Sequence, residues 1–117
     1  MKLRIQGNAI RYRLNRREVE EFARSGRVEA AVEFPTGPLR YTLESDSRVC
    51  APEAVYEPGR ILIRVPADAG REWAAGDEVA LRGPSGGGLE ILVEKDFQCL
   101  HKGEEGRDPD AYPNPGR

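Results

Sequence analysis

Short runs of alternating apolar and polar residues, cut apart by glycine and proline, constrain this chain more than any other feature. Leu3 and Ile5 flank Arg4, and Ile10, Tyr12 and Leu14 flank Arg11 and Arg13. Val28, Ala30, Val32 and Phe34 run up to Pro35, Leu39, Tyr41 and Leu43 follow Pro38, and Ile61, Ile63 and Val65 run up to Pro66. Leu89, Ile91 and Val93 come after three consecutive glycines, 86 to 88. Side chains two apart share one face of extended backbone, so each run reads as a strand with one buried face. Their spacing predicts an α+β, mainly β fold, a small antiparallel barrel or sandwich of about six or seven strands with one short N-terminal helix. A βαβ fold would need more crossover helix than the chain offers.

The helix has a clear start and stop. Asn15 and Glu18 stand at capping-box spacing, Val19, Phe22 and Ala23 share the next helical face, and Gly26 suits a left-handed C-terminal cap. A further helical turn over 67–75 would present Trp73 to the core, with Asp68 as its cap and Gly76 as its stop.

Two connections set registers. A tight turn at Gly7-Asn8 would pair Ile5 with Ile10 and Leu3 with Tyr12, but would also oppose Arg4 to Arg11 and Lys2 to Arg13. A single strand with a glycine bulge avoids that like-charge clash and is the reading preferred on charge. At Pro35-Thr36-Gly37-Pro38, a four-residue loop would set Glu33 against Arg40 and Val32 against Tyr41. Pro52 places the segment 49–56 at a sheet edge, and 83–88 reads as a hairpin loop. In the stretch Leu89 to His101, the residues Leu89, Ile91, Val93, Phe97 and Cys99 share one parity. Lys95 intrudes on that face, so the strand should end, bulge or twist there.

A chain of 117 residues suits one domain, read as a β-rich body over 1–101 and an acidic, proline-rich tail over 102–117. Lys and Arg number 18 against 20 Asp and Glu, which weighs against nucleic acid or a membrane surface as partner. The charge is nevertheless uneven: Lys2, Arg4, Arg11, Arg13, Arg16 and Arg17 precede the first acid, whereas Glu104, Glu105, Asp108 and Asp110 crowd the tail. With no membrane-length apolar run and no signal-peptide pattern, the expected location is cytoplasmic, where Cys50 and Cys99 would stay reduced.

Candidate chemistry is sparse. Cys99 and His101 could share a metal ion with carboxylates of the tail, although a closed site needs about four ligands and this motif supplies one arm. Either Cys50 or Cys99 could serve as a nucleophile with His101, against the simpler reading of a strand-phase cysteine in the core. The glycines at 86 to 88 lack the following Lys-Ser or Lys-Thr and the helix of a phosphate loop. Arg4, Arg11, Arg13, Arg16 and Arg17 could grip an anion or a protein partner, with a solvated strand face as the plainer explanation. Tyr112 and Asn114, beside the prolines of the tail, could dock on the body or on a neighbour. No cofactor is required by the sequence, and a metal ion is the one considered.

Met1-Lys2-Leu3-Arg4-Ile5, Gly7-Asn8, Arg11, Arg13-Leu14 and Glu18-Val19 resemble the opening of a small bacterial protein family of unknown function. Glu94-Lys95-Asp96-Phe97, Cys99-Leu100 and Pro113-Asn114-Pro115 resemble its close, with a looser middle. The resemblance implies a single bacterial domain and carries over no activity or catalytic residue. The function expected is that of a small binding or interaction module, acting on a protein partner or as a homodimer. The alternatives are a metal-dependent or thiol enzyme centred on Cys99 and His101, and a small-anion binder built on the arginine strand.

Overall fold

The structure is a computed structural model that describes residues 1–83 and 88–97. Among them the order is β1 (Lys2–Gln6), β2 (Ala9–Leu14), α1 (Arg16–Ser25), β3 (Arg27–Phe34), β4 (Gly37–Asp46), β5 (Glu53–Glu57), β6 (Arg60–Pro66), α2 (Ala67–Ala75), β7 (Ala80–Arg82) and β8 (Glu90–Lys95). Strands β1-β2-β8-β7 form one four-stranded sheet and β3-β4-β6-β5 the other. We refer to them as the first and second sheet. They stack as a sandwich and do not close into a barrel, and the described strands number eight rather than six or seven. The predicted alternations fill the space between them. Ile10, Tyr12, Leu14, Ile91 and Val93 meet Val28, Tyr41, Leu43, Ile61, Ile63 and Val65, with Val19, Phe22 and Trp73 added by the helices.

Neither sheet is purely antiparallel, contrary to expectation. The two inner strands of each run parallel, β2 beside β8 and β4 beside β6, with antiparallel partners outside them. No helical crossover is needed, because the link from β4 to β6 is itself the edge strand β5 and the link from β2 to β8 is most of the chain.

This arrangement is an internal two-fold repeat. The order ββαββ occurs twice, from β1 to β4 and from β5 to β8, and each half gives one hairpin to each sheet. Registers repeat as well as order. Ile10 lies beside Ile91 and Tyr12 beside Val93 in the first sheet; Ile61 lies beside Tyr41 and Ile63 beside Leu43 in the second. Leu3 opposes Tyr12 as Ala54 opposes Ile63, and Ile5 opposes Ile10 as Tyr56 opposes Ile61. The backbone N–H of Glu90 donates to Asn8 O (3.0 Å), and that of Arg40 donates to Gly59 O (2.9 Å). The equivalent helix residues Phe22 and Trp73 meet edge to face with ring centroids 5.9 Å apart. Burying a ring as large as Trp73 removes roughly 200 Å² from water, a gross gain of about 5 kcal/mol before entropy.

Local chemistry accounts for the termini. The Glu18 backbone N–H donates to Asn15 Oδ1 and the Asn15 N–H to Glu18 Oε1, both at 2.9 Å, closing the expected capping box. Gly26 ends α1 with φ 77°, and its N–H donates to Phe22 O. Val19 and Phe22 face the core, whereas Ala23 is exposed. Helix α2 follows Pro66 without a side-chain cap. Asp68 lies inside its first turn, paired with Arg71 at 3.2 Å, so it is not the cap expected of it.

Two registers differ from expectation. Gly7-Asn8 is a hairpin turn and not a bulge, with Arg4 opposite Arg11 and Lys2 opposite Arg13. Gly7 has φ 57°, a left-handed conformation that the favoured two-residue hairpin turns use and glycine takes without strain. The apolar pairs Leu3–Tyr12 and Ile5–Ile10 favour the hairpin, and β8 and the residue after it offset its cost: Glu94 accepts from Arg13 at 2.8 Å and Asp96 from Lys2 at 2.8 Å. The β3–β4 turn is the two residues Pro35-Thr36, so Val32 opposes Leu39 and Ala31 opposes Arg40. That shift moves partners by two positions and leaves every side chain on its expected face.

Strand β8 stops at Lys95, where the sequence placed a break. The Lys95 ammonium turns inward over the Trp73 ring, 5.6 Å from its centroid, and donates to Gly76 O at 2.8 Å, the carbonyl end of α2. Beyond it Phe97 is exposed and does not continue the core face. No helix of the described residues is long and apolar enough to cross a membrane.

Candidate anion-binding groove

The outward residues of the first sheet decide what its open face can hold. Side chains alternate along each strand, so with Tyr12 and Val93 inside, Arg4, Arg11, Leu92 and Arg82 point out. The pairings Arg4–Arg11, Arg11–Leu92 and Leu92–Arg82 put these residues in one row across all four strands. Strands sit about 4.8 Å apart, so the row spans roughly 14 Å at the backbone, within which guanidinium groups on long stems can converge. It lines an open groove of about 260 Å³ with Gln6, Ala9, Gly83 and Glu90. Gly83 shapes one wall, because a Cβ there would lie 2.7 Å from Ile91 Cβ.

Electrostatics within the row are uneven. Arg11 reaches Glu94 at 3.5 Å, but Glu94 is already held by Arg13 at 2.8 Å. Arg4 donates to the neutral Gln6 Oε1 at 3.2 Å. Neither Arg4 nor Arg82 has a carboxylate within 4.0 Å among the described residues. Among the described residues Glu90 is the one carboxylate lining the groove, against three arginines. Next to the row, the hydrogen bond from Lys2, aided by Arg13, holds the Asp96 carboxyl below the usual carboxylate range, with burial opposing. Lys2, Arg13, Glu94 and Asp96 therefore form a neutralised patch, and the cationic surplus falls on Arg4, Arg11 and Arg82.

The second sheet supplies an internal control, since the repeat gives each of these positions a counterpart. The equivalent row there is Val55, Leu62, Thr42 and Glu29, with Thr42 Oγ1 donating to Glu29 Oε2 at 2.9 Å. Its next row alternates in sign: Glu53, Arg64, Glu44 and Arg27, with contacts of 3.3, 4.0 and 3.8 Å. The architecture is therefore built once without a cationic row, and the arginines are not a requirement of the fold.

Of the arginines singled out in the sequence, Arg4, Arg11 and Arg13 come together on this face. Arg16 and Arg17 stand apart at the start of α1, and Arg16 lines a different cavity of about 520 Å³ with Lys95 and Phe97. Arg82 was missed. Its outward parity on a short strand was readable, but its place beside Arg11 depends on the parallel β2–β8 pairing. Cys99, His101, Tyr112 and Asn114 lie outside the described residues. Cys50 is exposed. No group of three or more His, Cys, Asp or Glu among the described residues is placed to hold a metal ion.

Comparison with known proteins matches the chain over residues 1–116 to the model of a family described as a family of unknown function (DUF7009). No curated protein matches the chain, and no solved structure does.

Proposed function

We propose that this chain, which belongs to that family of unknown function, is a small binding module whose ligand is anionic and seats on Arg4, Arg11 and Arg82. The observation that carries the reading is the row itself: three guanidinium groups share one outward line, and the equivalent line of the second sheet has none. Directly opposed like charges destabilise a hairpin by about 0.2–1 kcal/mol. A counter-charge brought by a ligand would relieve that cost. Arginine donates paired N–H groups that match carboxylate or phosphate oxygens, and Leu92 between the arms offers an apolar surface to whatever joins them.

The test is a thermal-shift series with inorganic phosphate and pyrophosphate on wild type, Arg4→Glu and Arg82→Ala. A ligand at ten times its Kd stabilises by about 1.4 kcal/mol, or about 5 °C for a chain of this size. Wild type should show a shift that is screened by salt and lost in both variants. Unliganded Arg4→Glu should melt higher than wild type, because it removes the opposed pair. Equal shifts in all three proteins, or none in wild type, would contradict the reading.

A further inference from the structure

We infer that the end of the sandwich opposite the helices is a face on which a second copy of this chain docks. Strands β2 and β6 lead into the helices, and α1 meets α2 through Phe22 and Trp73. Strands β8 and β4 run parallel to them, so all four inner strands begin at the far end. The turns Gly7-Asn8, Pro35-Thr36 and Pro58-Gly59 lie there too. Residues of inward phase that reach past the core at this end are apolar and uncovered: Ile5 is 62% exposed, Val32 42%, Phe34 52%, Tyr56 76% and Leu89 36%. They are five of the seven large apolar side chains exposed among the described residues, the others being Val79 and Phe97. Between Ile5, Tyr56 and Leu89 lies a shallow cavity of about 220 Å³ with no charged residue in its lining among the described residues, in a chain of which 32% is charged.

Area argues for a protein occupant of ordinary interface size. The exposed parts of these five side chains amount to roughly 400 Å² of apolar surface. Standard interfaces cover about 800 Å² per partner, a little over half of it apolar, so this face supplies most of the apolar centre of one. Symmetry argues for a second copy. Ile5 and Tyr56 are equivalent positions in the internal repeat, each opposed to an isoleucine of the adjacent strand, Ile10 and Ile61. Leu39 and Leu89 are equivalent in the same way. With those two pairs repeating about the internal axis and no charged side chain lining the cavity among the described residues, this face meets itself across a dyad without opposing like charges, as an isologous contact requires.

Sedimentation velocity on the full chain, from about 1 to about 300 μM, tests this together with Tyr56→Glu, Phe34→Glu and Arg4→Glu. The expected result is a dimer in wild type and in Arg4→Glu, weakened at least about thirtyfold in Tyr56→Glu and in Phe34→Glu, with circular dichroism unchanged throughout. Tyr56 and Phe34 lie outside the core, so neither substitution should unfold the chain. A wild type that stays monomeric over the whole range overturns the inference and leaves this face to another segment or another protein. A dimer that survives both substitutions also overturns it, because the contact must then lie elsewhere.

Discussion

Replacing Gly70 with Ala sets two effects of opposite sign against each other in one atom. Gly70 lies in the middle of α2 and is buried. In an exposed helix the exchange would stabilise by about 0.8–1.0 kcal/mol through helix propensity. Here the added Cβ would meet Phe22 Cζ at 3.1 Å, Phe22 Cε2 at 3.2 Å and Val65 Cγ2 at 3.2 Å. Neither neighbour yields easily, since the Phe22 ring is wedged against Trp73 and Val65 is fully buried. Inserting a methyl group into such a contact typically costs about 1–3 kcal/mol. The expected net effect is a loss of about 0.5–2 kcal/mol, read as a lower urea midpoint at unchanged slope. At the equivalent position α1 carries Val19, also buried. A Gly70→Ala protein more stable than wild type would refute the helix–helix packing on which the two-fold core rests.

Two further substitutions test charge and burial in the same frame. Tyr12 is fully buried and donates to Ile61 O at 3.1 Å, and burial pushes its phenol far above the ordinary value. The neutral form is therefore favoured on folding, so this stability is complete below about pH 10 and lost as pH rises beyond it. Tyr12→Phe should cost about 1 kcal/mol near neutrality and melt less steeply in alkali, and identical alkaline profiles would count against the buried phenol. For Asp96, whose carboxyl is held low by Lys2, the contribution is present above about pH 4 and lost as pH falls through the folded value. Asp96→Asn should thus lower the melting temperature at neutral pH, with the gap to wild type closing in acid, and a constant gap would speak against the pair.

The strands were legible in the sequence because their inward positions are filled by period-two apolar residues, and α1 because Asn15, Glu18 and Gly26 mark its ends. Registers were less legible. Charge alone argued against the Gly7-Asn8 hairpin, because the compensating Glu94 and Asp96 lie in and just after a strand far along the chain. Strand direction was not legible at all: nothing in the alternation of Ile10, Tyr12 and Leu14 says whether the neighbour runs with or against it. That same non-local pairing hid Arg82 from the candidate site. The repeat was equally concealed, since equivalent positions hold Tyr12 and Ile63, Phe22 and Trp73, Val19 and Gly70, alike in burial but not in identity. The membership of a family of unknown function agrees with the resemblance carried by the two ends of the chain.

The central claim, that Arg4, Arg11 and Arg82 form one anion site, is tested most directly by a titration of isotope-labelled protein with pyrophosphate, followed by nuclear magnetic resonance. The predicted result is a saturable set of shifts centred on the Arg4, Arg11, Arg82 and Leu92 signals and absent from Val55, Leu62, Thr42 and Glu29 on the second sheet. Shifts of equal size on both sheets, or shifts centred on Arg16 and Arg17, would contradict it.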